Sequence, residues 1–280
     1  LFDDIDDKKN EKVLPGNRFK QRVKTAAKKF GSDFDLPHII ALQEVENMNV
    51  LEQIAIEIWG QYQQKYRLIL IPGHDESGIN LAYLVRFGVE IKKVDQLFAN
   101  KTFEMTGKPL FTRPPLYLKA CYIENCISML NVHLRSMRGI NSSQDGERVA
   151  RKRLLQAETI ASWSNRFQQS MRGESLLLLG DFNALTPGDT HVDVAGIIRG
   201  NPDNTAVRLP ARDLVEPDLV DLGQMIPAPK RYSFIYRQKK QQLDYMFVNQ
   251  SFKAEVERIS FSRIDYHFSD HAGLLAEFKW

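Results

Sequence analysis

Apolar residues near the N-terminus settle into a helical rhythm. Phe19, Val23, Ala26, Ala27 and Phe30 recur at spacings of three and four, which predicts an amphipathic helix over residues 18–30, after an acidic loop with Asp3, Asp4, Asp6 and Asp7. His38-Ile39-Ile40-Ala41-Leu42 then breaks the rhythm with a short apolar run. It reads as a buried strand ending in the polar pair Gln43-Glu44. Residues 49–59 predict a helix capped by Asn49, with Glu52 three residues on. Strand-like runs follow at 66–71, 81–85, 90–97, 116–122 and 127–134. With no helix between them, they imply antiparallel pairing. A long helix over about 147–167 leads into another apolar strand at 175–179. A proline-bearing stretch (Pro187, Pro202, Pro210, Pro217, Pro227 and Pro229) reads as loop, and strands return at 232–236, 243–248, 254–261 and 272–278. This order predicts an α/β protein with mixed, mainly antiparallel sheets packed face to face and helices outside.

Apolar segments run evenly through all 280 residues without repeats or linkers, so residues 1–280 are expected to form a single domain. A hydrophobic content of 43% is enough to build a core, and no run of about 18 apolar residues supports stable membrane insertion. The net charge of +3 permits a polyanionic substrate without requiring one, and a monomer is expected. Cys121 and Cys126 are too few for a disulfide framework or a four-cysteine zinc site, and allow at most one local bridge.

Chemistry concentrates where apolar strands end. Leu176-Leu177-Leu178-Leu179 runs into Gly180-Asp181-Phe182-Asn183, and strand alternation puts Asp181 and Asn183 on one face with Phe182 opposite. Ser269-Asp270-His271 precedes the last strand. Its adjacent acid and imidazole face apart, so each serves a different neighbour, a cation for Asp270 and another acid for His271. Asp244, set among apolar residues, needs a partner, and His271 is a candidate. His133 and Glu44 also stand at strand ends. The hard oxygen donors Glu44, Asp181, Asn183 and Asp270 suit Mg²⁺ or Mn²⁺ better than zinc.

Gln43-Glu44-Val45-Glu46-Asn47, Asn131-Val132-His133-Leu134, Gly180-Asp181-Phe182-Asn183, Leu243-Asp244-Tyr245 and Ser269-Asp270-His271 resemble, in order and spacing, the motifs of the endonuclease/exonuclease/phosphatase superfamily. The resemblance spans nearly the whole chain and implies a four-layer α/β sandwich. It also implies a divalent-metal-dependent phosphodiesterase acting by in-line attack of an activated water. Glu44 would be the principal metal ligand, with Asp270 on or near the same ion. Asp181 would orient or deprotonate the water, and Asn183 would hold the water or the phosphate. His271 paired with Asp244 would act as base or charge stabiliser, and His133 would donate to the phosphate or protonate the leaving oxygen. Phe111-Thr112-Arg113-Pro114-Pro115 resembles a nuclease segment whose Arg meets a phosphate, so Arg113 is the first candidate substrate contact, followed by Arg135 and Asn80. Asn80 stands where relatives often carry an acid that orients the residue matching His133. Asp244-Tyr245-Met246 resembles the nuclease branch rather than the inositol phosphatases, which favours nucleic acid as substrate. A phospholipid or small phosphorylated substrate is the alternative. The chain begins at Leu1-Phe2-Asp3, where relatives have already passed a first core strand bearing an Asn, so a longer native protein is expected. A processed start and a Cys121 to Cys126 bridge would suit a secreted or periplasmic bacterial enzyme.

Overall fold

The computed structural model describes residues 13–185 and 188–279, so the acidic loop at Asp3 to Asp7 and Pro187 lie outside the described residues. The first helix, α1 (Gly16–Lys28), runs into a short π-helical turn and is followed by strand β1 (Ile39–Val45). Helix α2 (Met48–Tyr62) comes next, capped by Asn47, whose side chain accepts from the Val50 amide. The sequence pattern predicts this cap at Asn49, two residues later. Asn47 takes the role because its backbone is still extended when its oxygen reaches the amide three residues on.

Strands β2 (Tyr66–Leu70), β3 (Asn80–Arg86) and β4 (Glu90–Gln96) lead through the two-residue strands β5 (Thr102–Phe103) and β6 (Lys108–Pro109) to β7 (Leu116–Tyr122) and β8 (Asn125–His133). Helix α3 (Gly146–Ser170) then returns the chain to β9 (Ser175–Asp181). The proline-bearing stretch is not all loop. It contains α4 (Val194–Arg199), where Asp193 caps the helix through the Gly196 amide, and the short β10 (Val220–Asp221). The remaining elements are β11 (Phe234–Tyr236), β12 (Lys239–Gln241), β13 (Asp244–Val248), α5 (Gln250–Lys253), β14 (Val256–Phe261) and β15 (Leu274–Phe278).

Two principal sheets carry the structure, β1-β3-β2 and the six-stranded β10-β13-β9-β8-β7-β4, with a β14-β15 pair alongside. All pairings in the larger sheet are antiparallel except β8 with β9, which α3 joins in parallel. Strand alternation sorts the side chains into three cores. Leu81, Tyr83 and Val85 of β3 face Leu116, Leu118, Met129, Leu177 and Leu179 across the space between the sheets. Ala82 and Leu84 on the opposite face of β3 pack with Val23 and Ala27 of α1 and Leu51 and Ile54 of α2. Leu130, Val132, Leu176 and Leu178 pack with Val149, Ala157 and Ile160 of α3. The layers are therefore helices, sheet, sheet, helices, the α/β sandwich expected from the sequence. The unbroken Leu176 to Leu179 run is explained by burial on both faces.

A polar staple at Asn131 crosses the space between the sheets, as does the bond from the Tyr83 hydroxyl to the Leu116 carbonyl. Asn131, fully buried on β8, accepts from Gln43 Nε2 at 2.7 Å and donates to the carbonyls of Leu42 and Ala82 at 3.0 and 3.2 Å. It ties the larger sheet to β3 at Ala82 and to β1 at Leu42 and Gln43, immediately before Glu44. A second constraint lies at Gly180. Its φ is 127°, and a Cβ there would collide with the Val132 carbonyl oxygen, so only glycine allows β8 and β9 to approach this closely.

Candidate active site

Three adjacent strands end side by side at one end of the larger sheet. In the pairing register His133 of β8 lies opposite Asp181 of β9, and Asp181 lies opposite Asp244 of β13. Asp181 is thus flanked by an imidazole and a second carboxylate. His133 Nε2 is 3.3 Å from Asp181 Oδ2. Asn183 donates to Asp181 twice, from its backbone N to Oδ1 at 2.8 Å and from Nδ2 to Oδ2 at 3.1 Å. Asp181 and Asn183 do converge, but through a turn: β9 ends at Asp181, and Asn183 adopts a left-handed backbone with φ 50°. Phe182 between them points away into the core against Tyr245 and Phe247.

His271 reaches this row from the loop before β15. Its Nδ1 is 2.7 Å from Asp244 Oδ2, the pairing anticipated from the sequence. Ser233 holds the two in place: its hydroxyl accepts from the amides of Leu243 and Asp244, and its carbonyl accepts from the Ala272 amide. The Phe234 ring lies 5.0 Å from the imidazole of His271.

The protonation states follow from these surroundings. Burial, then the neighbouring Asp244 charge, push Asp181 up to about 7, against the pull of His271, Asn183 and Arg113. Burial also holds His133 well below the ordinary imidazole value, reinforced by the positive charges of Arg113 and His271. For His271, burial acts downward, but the Asp244 hydrogen bond and the charges of Asp244, Asp181 and Asp270 together raise it to about 9. At neutral pH the site therefore holds a neutral His133 and a cationic His271, beside an Asp181 that keeps its proton to higher pH than an ordinary carboxylate.

Arg113 approaches the same row from the loop after β6. Its Nη1 is 3.4 Å from Asp75, and burial lowers its pKa against the opposing charges of Asp75, Glu44 and Asp181. Its Nε has no hydrogen-bond partner among the described residues. Glu44 sits in a bulge of β1 with φ 56° and is exposed, and Asp270 is exposed beside His271. Arg135 lies near Arg113 but directs its guanidinium to Ser136 Oγ and the Arg138 carbonyl. Asn80 makes no described hydrogen bond to His133. Its side chain accepts from the Gly73 amide and donates to the carbonyls of Glu46 and Gly78, shaping the loop that carries Asp75.

Among the described residues no three His, Cys, Asp or Glu side chains form a closed metal cage. An exposed Glu44 carboxylate, with Asp270 as a second oxygen donor, suits a hydrated hard cation, which needs only one or two protein carboxylates.

Sequence reasoning missed Asp75, Asn131 and Arg153. For Arg153 a signal was present, because a charged residue stands in the apolar stripe Val149, Ala150, Ala157 and Ile160 of α3. Such a residue must find partners inside the fold.

A sandwich of this layering with acids, imidazoles and a buried arginine gathered at one sheet end defines a metal-assisted phosphoester hydrolase. The Endonuclease/Exonuclease/phosphatase family matches residues 1–259, and the chain belongs to that family, whose members are metal-dependent phosphoric ester hydrolases. A search of the curated proteins finds no match. Among solved structures, an endonuclease/exonuclease/phosphatase family protein from Leptotrichia buccalis is 16% identical, with a TM-score of 0.62 over 95% of this chain and 96% of that one. Truncated TDP2 from Caenorhabditis elegans is 17% identical, with a TM-score of 0.60 over 95% and 94% of the two chains. TDP2 from D. rerio, solved with a single-strand DNA product, is 13% identical, with a TM-score of 0.59 over 92% of each chain. No helix among the described residues is long and apolar enough to cross a membrane.

Proposed function

We propose that the chain is a Mg²⁺-dependent nuclease that hydrolyses phosphodiester bonds of DNA or RNA by in-line attack of water. The carrying observation is the row His133, Asp181, Asp244 on three neighbouring strands, completed by His271 on Asp244. Asp181, held by two bonds from Asn183 and poised near neutrality, is placed to orient the attacking water and take its proton. His271, cationic through Asp244, stabilises the charge that develops on the phosphoryl oxygens. Arg113 supplies a second fixed positive charge for phosphate. His133 is neutral, so in the free protein it lies beside Asp181 as an uncharged imidazole rather than as an imidazolium acid. Glu44 and Asp270 would hold the metal, which when bound supplies Lewis-acid polarisation of the phosphate.

The site draws on residues from Glu44 to His271, which supports reading the chain as one unit. A nucleic-acid substrate is supported by the DNA product bound to the D. rerio TDP2 structure. A disulfide between Cys121 and Cys126 supports an oxidising compartment, secreted or periplasmic. The test is a panel of plasmid DNA, single-stranded DNA, RNA, phospholipid vesicles and a chromogenic phosphodiester, each with Mg²⁺, Mn²⁺ or EDTA. Metal-dependent cleavage of a nucleic acid is expected. Hydrolysis of the phospholipid or chromogenic ester with every nucleic acid left intact would keep the site chemistry and overturn the substrate.

A further inference from the structure

We infer that helix α3 is a positioning bar for the site, with Arg153 as its central positioning residue. This rests on the phosphodiesterase reading above. Three polar side chains on one buried face of α3 reach the backbone of three site segments. Arg153, with no exposed side-chain surface, donates from Nη1 to the carbonyls of Arg135 and Asn183, both at 2.8 Å, while its Nη2 pairs with Asp189 at 2.6 Å. Gln156 accepts from the Arg135 amide at 2.8 Å and donates to the Leu110 carbonyl at 2.8 Å. Lys152 donates to the Pro109 carbonyl at 3.0 Å. The three segments served are the approach to Arg113, the chain just beyond His133, and the left-handed residue Asn183 that holds Asp181.

Burying an arginine is costly, and Arg153 offsets that cost through Nη1 and Nη2 while its buried Nε has no hydrogen-bond partner among the described residues. A nearby hydrophobic residue would fill α3's stripe at lower cost, as Ala150 and Ala157 do one turn away on either side. What arginine adds is a planar fork in which Nη1 bridges carbonyls from the segments that follow β8 and β9 while Nη2, paired with Asp189, holds the fork's orientation. Lysine at this position would keep the charge, but its single nitrogen could not hold the two carbonyls that Nη1 bridges and Asp189 at the separate position of Nη2. The Asn183 carbonyl and the Asn183 amide that binds Asp181 belong to the same left-handed turn, so a shift of the clamp moves the donors on Asp181 directly. Displacements on the order of an ångström in such a constellation cost about a hundredfold in rate.

The test uses the full chain and its Arg153→Lys and Asn183→Ala variants, alone and combined. Hydrogen exchange of peptides covering 131–140 and 178–185 is read beside steady-state kinetics on the best substrate of the panel. Arg153→Lys is expected to speed exchange in those two segments only, and to lower kcat by about 10- to 100-fold with KM changed less than about threefold. In the Asn183→Ala background, which keeps the main-chain carbonyl and amide but loses the Nδ2 donor to Asp181, its effect on kcat is expected to shrink to about 3- to 10-fold, because only the main-chain route to Asp181 is left. Exchange unchanged in both segments, loosening spread over the whole chain, or fully multiplicative effects of the two substitutions would each overturn the inference. An inactive wild type would sink the phosphodiesterase reading alone, and the exchange measurement would still decide whether Arg153 holds the two segments.

Discussion

Replacing Asp244 by Asn removes the charge that keeps His271 protonated while preserving size and polarity. His271 stands at about 9 in the folded protein against an ordinary 6.5. A difference of about 2.5 units is worth about 3.4 kcal/mol, and with a quarter of the imidazole side chain exposed the effective contribution is about 2–3 kcal/mol. The raised folded-state value fixes the sign. The stabilisation is complete below pH 6.5, declines as pH rises through 9, and is absent above it. In Asp244→Asn, burial is the dominant influence left on His271 and the contribution disappears at every pH. Urea unfolding in EDTA, followed by tryptophan fluorescence, should therefore show the wild type exceeding the variant by about 2–3 kcal/mol at pH 6, with the gap nearly closed by pH 9.5. About 1–1.5 kcal/mol of the decline falls between pH 7.5 and 9.5, above the Asp181 titration near 7, so that window isolates His271. Parallel stability curves for the two proteins across this window would refute the assignment of a charged His271–Asp244 pair.

Other outcomes follow from particular contacts. Gly180→Ala places a methyl against the Val132 carbonyl at a φ of 127° and should cost at least about 3 kcal/mol or abolish folding, as read by thermal melting. Replacing Cys121 and Cys126 by Ser opens a bridge at the end of the β7–β8 hairpin remote from His133, and should cost about 2 kcal/mol while leaving hydrolysis unchanged. Glu44→Gln, at an exposed position, should abolish metal-dependent hydrolysis with a melting temperature within about 2 °C of wild type.

Much of this architecture was legible from the chain because strand ends carry their own signature. The Leu176 to Leu179 run ending in Gly180-Asp181, and the Asp244 carboxylate stranded among apolar neighbours, each pointed to the positions that the sheet register brings together. The pairing of Asp244 with His271 was legible as a need for a partner, although the geometry that satisfies it comes from Ser233, which no local pattern marks. Long-range polar contacts were the part that sequence could not convey. Arg153 meets Asp189 across 36 residues and Asn131 meets Gln43 across 88, and such pairs leave no periodicity. Asn80 shows the opposite difficulty. A position suggestive of orienting His133 turns out to bind backbone, because an amide can satisfy the Gly73, Glu46 and Gly78 groups at once where a carboxylate could not. Helix α4 was obscured by the surrounding prolines, and the Asp193 cap that starts it is the signal that outweighs them.

The central claim is that Asp181, set between His133 and Asp244, is the hydrolytic centre of a metal-dependent phosphodiesterase. The direct measurement is the initial rate of the wild type and of Asp181→Asn on one phosphodiester at pH 7.5, with Mg²⁺ and with EDTA, on protein shown by melting to be folded. The account predicts that EDTA silences the wild type and that the substitution lowers the Mg²⁺-supported rate by about a thousandfold or more. A substituted protein within about tenfold of wild type, or a wild-type rate indifferent to EDTA, would contradict it.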